Sequence, residues 1–471
     1  MSRRGSRIPA TVLAVAAVAC AALAVRSSGA ASSTATSAAL TTPLWSTRRV
    51  PELVVDAVGA QRLQSALDAD LSSQPTSCYV VDEGQQPIAA HNADTALVPA
   101  STQKLLTATA ALAVLGPNFR YQTKAVAPAA PQGGTVDRIW LVGSGDPVLA
   151  SADFAAYLQA NPITHDDVTT RLETLSDGIV AAGVHSVPGG VIGDDSRYDQ
   201  QRYLPSWSPT YRTDPDVGPL GALTVNGGYR ITNGRPVAVD DPAQYAAATL
   251  TQLLQARGVQ VGPPTAHQTA PATAATVALV SSPPLRDILV SSLRSSDNLA
   301  GELLAKELGV HTANQGTTTA GVQAITTTLA HLGIPTTGVH LVDGSGLDHG
   351  NRVPCTTLAS ALALAGTPTY QPVLDGLPVA GAEGTLAGRL EGTPLAGKLH
   401  AKTGSLNGVS GLAGLLDTGR PLRFALLVNG DIPDVATADA VREPFAVILA
   451  TFPNAPTPDA LVPAPLAPRR N

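Results

Sequence analysis

The chain has 471 residues, of which 44% are hydrophobic and only 14% charged. That length holds two or three domains, and the apolar fraction is enough for a real core. A formal net charge of −6, the absence of a basic run and three scattered cysteines exclude the usual footprints of nucleic-acid binding and of a metal knuckle.

Taken in chain order, the first segment is an export signal. Arg3, Arg4 and Arg7 precede an apolar run from Ile8 to Val25, and Ser28-Gly29-Ala30 supplies small residues for cleavage. The run also reaches the short limit for a bilayer span. The alternative to cleavage within 1–30 is therefore a retained anchor that tethers the chain to a membrane. Residues 31–50 are rich in Ser, Thr and Ala and read as a linker. Cleavage would remove Cys20 and leave Cys78 and Cys355. An oxidising compartment allows these two to form a disulfide; two separately buried thiols are the other reading.

The spacing of Leu53, Val54, Val58, Leu63, Leu67 and Leu71 predicts a helix. Residues 78–84 read as a strand and turn. A helix is expected over 101–115, entered through Pro99 and stopped by Gly116-Pro117. Between about 119 and 280 the pattern changes. Short strands at 138–142 and 187–192 alternate with Gly/Pro/Asp turns, and helices are expected at 170–182 and 244–257. An Ala/Leu-rich helical style returns from Leu285. Residues 397–406, 409–416 and 422–429 are three apolar runs parted by Gly-containing turns, the pattern of an antiparallel meander. The Pro-rich tail at 453–471 is expected to be disordered.

Candidate chemistry lies in three short motifs. Lysine is scarce: five copies stand against 25 arginines. Two of the five are Lys104, closing Ser101-Thr102-Gln103-Lys104, and Lys402, opening Lys402-Thr403-Gly404-Ser405. Between them stands Ser296-Asp297-Asn298. An arginine-preferring chain keeps lysine where an amine must be able to lose its proton. Ser101 and Lys104 share one helix face. In the first turn, backbone N–H groups favour a developing oxyanion. Lys104 becomes a base if burial and a second cation lower its pKa, and Lys402 is the candidate cation. Ser296 would relay a proton to the leaving amine, and Asn298 would clamp the substrate. Gly404 would let a substrate backbone approach a strand edge. The Ser405 N–H would join that of Ser101 as an oxyanion hole. Taken singly, each triplet reads as a helix cap or a surface turn. The ordered set, S-x-x-K then S-D-N then K-T-G, marks serine acyl-transfer enzymes that react with β-lactams.

Residues 99–108, Pro-Ala-Ser-Thr-Gln-Lys-Leu-Leu-Thr-Ala, resemble the nucleophile segment of the class C low-molecular-mass penicillin-binding proteins, the D-alanyl-D-alanine carboxypeptidase/endopeptidases. Gly143-Ser144-Gly145-Asp146-Pro147 is similar to that family's G-G-G-D-P turn. Residues 193–198 are similar to its D-D-S-x-F segment, 220–226 to its S-A-L-S-V-N stretch, and 343–347 to its D-G-S-G-L turn. The resemblance spans about 53–450. It implies an α+β fold: a penicillin-binding transpeptidase/β-lactamase-like domain, with an antiparallel sheet flanked by helices, and a large inserted domain. The implied boundaries are 51–118 and 283–452 for the discontinuous acyl-transferase domain and 119–282 for the insert. It implies cleavage of D-Ala-D-Ala stem peptides of peptidoglycan through an acyl-enzyme on Ser101, covalent capture of β-lactam inhibitors, no cofactor or metal, and an extracytoplasmic location. Asp194 matches a substrate-side acid of the family. One departure stands out. Where the family reads D-G-S-G-L-S-R, this chain has Asp348 and His349, and the Arg is displaced to Arg352 or absent, which puts the side-chain pocket in question.

A β-lactamase carries the same three motifs but would be shorter, and no E-x-x-L-N segment is present for its deacylating Glu. A catalytically silent wall-binding protein on the same fold is a second alternative. It would not need Ser101, Lys104, Ser296, Asn298 and Lys402 together.

Overall fold

The computed structural model describes residues 51–454 except 418; the leader, the linker and the tail beyond 454 lie outside the described residues. Among the described residues, no helix is long and apolar enough to cross a membrane. In chain order, α1 (Pro51–Asp70) leads into the hairpin β1 (Ser77–Glu83) and β2 (Gln86–His91). A 3₁₀ turn at Ala100–Gln103 runs into α2 (Lys104–Leu115). The middle of the chain supplies β3 (Gln122–Ala127), β4 (Ile139–Val142), α3 (Leu172–Ala181), β5 (Val191–Asp194), α4 (Pro242–Ala256), β6 (Thr265–Ala266) and β7 (Ala275–Ser281). Then follow α5 (Leu285–Ser295), α6 (Asn298–Ala313), α7 (Thr318–His331) and α8 (Cys355–Ala365). The meander β8 (Leu399–Leu406), β9 (Val409–Asp417) and β10 (Pro421–Asn429) precedes α9 (Val435–Leu449).

The main sheet is antiparallel throughout, in the order β8-β9-β10-β1-β2. Strand β10 sits at its centre and is covered on both faces. Alternate side chains of a strand point to opposite sides. Phe424, Leu426 and Val428 pack with Leu63 and Leu67 of α1 and Phe445 and Leu449 of α9. Ala425 and Leu427 pack with Leu105 and Leu112 of α2, Leu304 of α6 and Leu358 of α8. Each such leucine contributes roughly 1.5–3 kcal/mol by leaving water, so both helical layers are held by the same strand. Cys78 of β1 and Cys355, the first residue of α8, are joined as a disulfide with Cα atoms 6.1 Å apart. It links the sheet to its helical layer inside the core.

A second, mixed sheet runs in the order β6-β5-β4-β3-β7, and all of its strands come from residues 122–281. The pairs β6–β5 and β5–β4 are parallel, and β4–β3 and β3–β7 antiparallel. Ile139 and Leu141 share a core with Leu172 and Ile179 of α3 and Leu250 and Leu254 of α4. The insert is not independent of its neighbour, however. Tyr198, Leu204, Trp207 and Leu220 form one cluster with Leu299 and Leu303 of α6 and with Leu347. Residues 55–454 therefore pack as one unit.

Candidate active site

The nucleophile turn is held under strain. Ala100 has φ +46° and is fully buried. The left-handed region costs an L-residue roughly 1–2 kcal/mol, and such outliers persist where surrounding structure over-determines them. Thr102 caps the turn by donating its hydroxyl to Pro99 O at 2.6 Å. Asn429 of β10 fixes the entry by accepting from Val98 N at 2.9 Å and donating to Val98 O at 3.1 Å. A Cβ at Gly404 would lie 2.8 Å from Pro99 O, and one at Gly411, its partner across the ladder, 3.1 Å from Thr102 Cγ2. The open side of Gly404 is thus taken by the nucleophile turn. Its glycine admits the enzyme's own backbone, a correction to the reading that it makes room for substrate.

Lys104 Nζ lies 2.8 Å from Ser101 Oγ, 2.5 Å from Asn298 Oδ1 and 2.9 Å from Ser345 O. A carbonyl oxygen can only accept. The ammonium donates one N–H to each of the three oxygens; once it loses a proton, the two carbonyls keep its two N–H bonds and its lone pair is left for the Ser101 hydroxyl to donate into. Asn298 is itself oriented by donating Nδ2–H to Asp216 O at 2.8 Å. Burial lowers the Lys104 ammonium from its ordinary value to about 8, against the opposing pull of Asp343, Asp297 and Glu302. Lys402 was expected to supply this shift as a neighbouring cation. Repulsion between the two amines is mutual, and Lys402, fully buried, is itself pushed well below its ordinary value by burial, then by Lys104 and Arg442. Its Nζ donates to Thr403 O at 3.1 Å.

Asp297, not Ser296, caps α6, accepting from Ala300 N at 3.1 Å. Ser296 closes α5 in the left-handed region at φ +63°. Both Ser296 and Asn298 line a cavity of about 340 Å³ shared with Asp167, Asp216 and Tyr229. Burial pushes Asp167 up to about 7.

Strand β8 is the sheet edge. Residues 378–380 cover its start, with Ala401 N donating to Pro378 O at 2.9 Å. N–H groups alternate in direction along an antiparallel ladder, so Thr403 and Ser405 present theirs on the same outer edge as Ala401. The Thr403 hydroxyl is 2.9 Å from that of Thr385.

The base is supported by a turn whose role was not legible in the sequence. Glu302 Oε1 accepts from Gly344 N at 3.0 Å and Ser345 N at 2.7 Å, which aims Ser345 O at Lys104. Asp343 accepts from Gly346 N, Asp348 N and Trp207 Nε1 at 2.7–2.9 Å. Burial, then Asp343, pushes the Glu302 carboxyl up to about 8. The available signal was its place one helical turn beyond Asn298 on α6.

Asp194 is not brought to the site. It ends β5, is 3% exposed, and uses both oxygens inside the insert, accepting from Ser196 N at 3.0 Å and Ala270 N at 2.7 Å. Its match to a substrate-side acid is corrected: it fastens a loop. Asp194→Ala is expected to cost about 1–3 kcal/mol of stability by orphaning two N–H groups, with acylation per folded molecule within about twofold of wild type. Thermal denaturation and penicillin labelling check the two halves. Arg352 turns away as well, donating to His349 O at 2.7 Å and Asn351 O at 2.8 Å. Asp348 accepts from Ser206 Oγ and from Gly350 N.

The motifs thus bring together a serine with an amine beside it, a second buried amine and a strand edge. The profile of the D-Ala-D-Ala carboxypeptidase 3 (S13) family matches residues 60–236 and 232–452. The chain belongs to this family. It is 36% identical to a carboxypeptidase of Mycobacterium tuberculosis over 71% of this chain and 72% of that protein. It is 28% identical to a D-alanyl-D-alanine carboxypeptidase of Actinomadura sp. (strain R39) over 92% of this chain and 94% of that protein. The fold is similar to that of penicillin-binding protein 4 from Haemophilus influenzae, with a TM-score of 0.69 at 22% identity, over 81% of this chain and 98% of that one.

Proposed function

We infer that the protein is a serine-type D-Ala-D-Ala carboxypeptidase that works on peptidoglycan stem peptides outside the cytoplasm and is acylated by β-lactams. The observation that carries this reading is the buried Lys104 amine, 2.8 Å from Ser101 Oγ, with two carbonyls placed to hold its two hydrogens once it is neutral. Family membership and the relatives named as D-alanyl-D-alanine carboxypeptidases support it.

Ser101 Oγ attacks the carbonyl of the penultimate D-Ala while its proton passes to Lys104. The negative charge that forms on the carbonyl oxygen is met by the N–H groups of Ser101 and Ser405. The bond to the terminal D-Ala breaks, and its amine takes a proton from the Lys104, Ser296 and Lys402 group. Water then hydrolyses the ester and frees Ser101. Thr403 and Lys402 hold the terminal carboxylate, and the outer edge of β8 pairs with the peptide backbone. A β-lactam enters the same first step, but its leaving nitrogen stays tethered to the acyl group, so the ester persists. The Haemophilus influenzae protein is seen in complex with a β-lactam. Cleavage of D-Ala cross-links uses the same acylation and differs in the leaving group. Residues 1–30 would direct export or act as a tether, and the insert at 119–282 would contribute Asp167, Asp216 and Tyr229 to the cavity beside Ser296 and Asn298.

Incubation with a stem pentapeptide ending in D-Ala-D-Ala is expected to release free D-Ala, with the tetrapeptide as the other product by mass spectrometry. A folded protein that released no D-Ala, from pentapeptide or cross-linked dimer, would contradict the assignment.

A further inference from the structure

The back of the K-T-G strand carries a buried cation that the acylation steps above do not use. Arg442 lies in α9, on the face of the main sheet opposite the nucleophile turn, and is 3% exposed. Its Nη1 donates to Gly404 O at 3.0 Å and to Ser405 Oγ at 2.8 Å, and approaches Gly411 O at 3.5 Å. Its Nη2 donates to Asp439. Asp439 is also bound by Arg389, which in turn donates to Glu443 at 3.2 Å. The guanidinium is therefore fixed in place, over the point where the glycine pair Gly404 and Gly411 lets the nucleophile turn touch the sheet.

Gly404 O and Ser405 N–H belong to one peptide unit. A hydrogen bond accepted by the carbonyl of a peptide polarises its N–H, and a charged donor does so more strongly than a neutral one. The trans peptide points the two groups in opposite directions, so a donor behind the strand acts on an N–H that faces the cleft.

We propose that Arg442 is a positioning residue of the acylation step: by binding Gly404 O and Ser405 Oγ it orients and polarises the Ser405 N–H as an oxyanion donor. The inference rests on the reading of Ser405 N–H as part of the oxyanion hole. Burial, then Arg389, brings Arg442 down only to about 10, so it remains a cation at neutral pH. Arg442 never touches the reacting atoms; its effect passes through one peptide bond.

The test uses Arg442→Lys and Arg442→Met in the mature protein with a penicillin carrying ¹³C at the β-lactam carbonyl. Infrared difference spectra of the acyl-enzyme report the ester C=O stretch, which falls as oxyanion donors strengthen. Arg442→Met is expected to raise that frequency and slow acylation about tenfold, less than the about hundredfold for removing a donor outright. Arg442→Lys, which keeps the charge but loses the fork, should fall between. A folded Arg442→Met with wild-type frequency and rate overturns the proposal. So does slower acylation with a lowered melting temperature and no change in frequency, since that is a structural role. Should Arg442→Met not fold, a wild-type frequency and rate in Arg442→Lys overturn it equally. A wild-type protein that forms no adduct defeats the carboxypeptidase reading itself, a result distinct from failure of the Arg442 variants alone.

Discussion

Ser101→Ala is expected to keep its unmodified mass after incubation with benzylpenicillin, while the wild-type protein gains the mass of one penicillin. At Ser101 a nucleophile, a base and an open strand edge meet. Ser101 Oγ is 2.8 Å from a lysine whose burial brings it down to about 8. At neutral pH about a tenth of such an amine is unprotonated, against less than a thousandth for an ordinary lysine. The loss on removing Ser101 should be complete, because Ser101 Oγ is the hydroxyl that lies beside the base. Ser296, the other serine of the motif set, sits in a left-handed turn at the end of α5 and would not substitute for it. The variant should fold, since Ser101 is only part-buried and its neighbour Ala100 keeps the turn. Intact-mass spectrometry settles the matter. A penicillin adduct on folded Ser101→Ala would move the nucleophile elsewhere, and no adduct on wild type would remove the enzyme reading.

Much of the site was legible because chemistry constrains residue type more tightly than packing does. A serine three residues before a lysine reads alone as a helix cap, but followed in order by S-D-N and K-T-G it leaves few other uses for that lysine. The meander at 397–429 was readable for a different reason: its last run is apolar on both faces, as a central strand such as β10, covered on both sides, needs. What escaped came from contacts between distant parts of the chain. Glu302, Ser345 and Lys104 are coupled through one turn, yet each looks ordinary in its own neighbourhood. Nothing about alanine announces the left-handed Ala100. The scarcity of lysine was a weaker guide than it looked. Lys306 is as buried as Lys402 but pairs with Asp199 at 2.5 Å and lies outside the catalytic set. Asp194 shows how a resemblance misleads. The segment carrying it is present, but its carboxylate is consumed by two backbone N–H groups. The Lys104 shift was expected from burial and from a second cation, and burial is its largest cause. Desolvation acts on every buried group, and repulsion from Lys104 adds to burial in depressing Lys402.

Lys104→Arg should be as damaging as Lys104→Ala, with acylation at least about a hundredfold below wild type, the lower range for loss of a general base. The two substitutions separate charge from basicity. Arginine keeps a cation near Asp343 and Asp297 but stays protonated far above neutral pH, so it has no lone pair to offer Ser101. Its planar fork also fills the space in which two carbonyls and one hydroxyl surround a tetrahedral nitrogen. The pH dependence gives an independent check. In the wild type the active base is the neutral amine, so acylation should rise about tenfold per pH unit below about 8 and level off above it. In Lys104→Arg that rising limb should disappear over the same range, because no group with that titration remains next to Ser101. Stopped-flow acylation by a chromogenic cephalosporin, from pH 6 to 10, measures both variants, and circular dichroism verifies that they fold. Lys104→Arg acylating within a few-fold of wild type, with the limb near pH 8 retained, would make Lys104 a structural cation and move general-base work to another group.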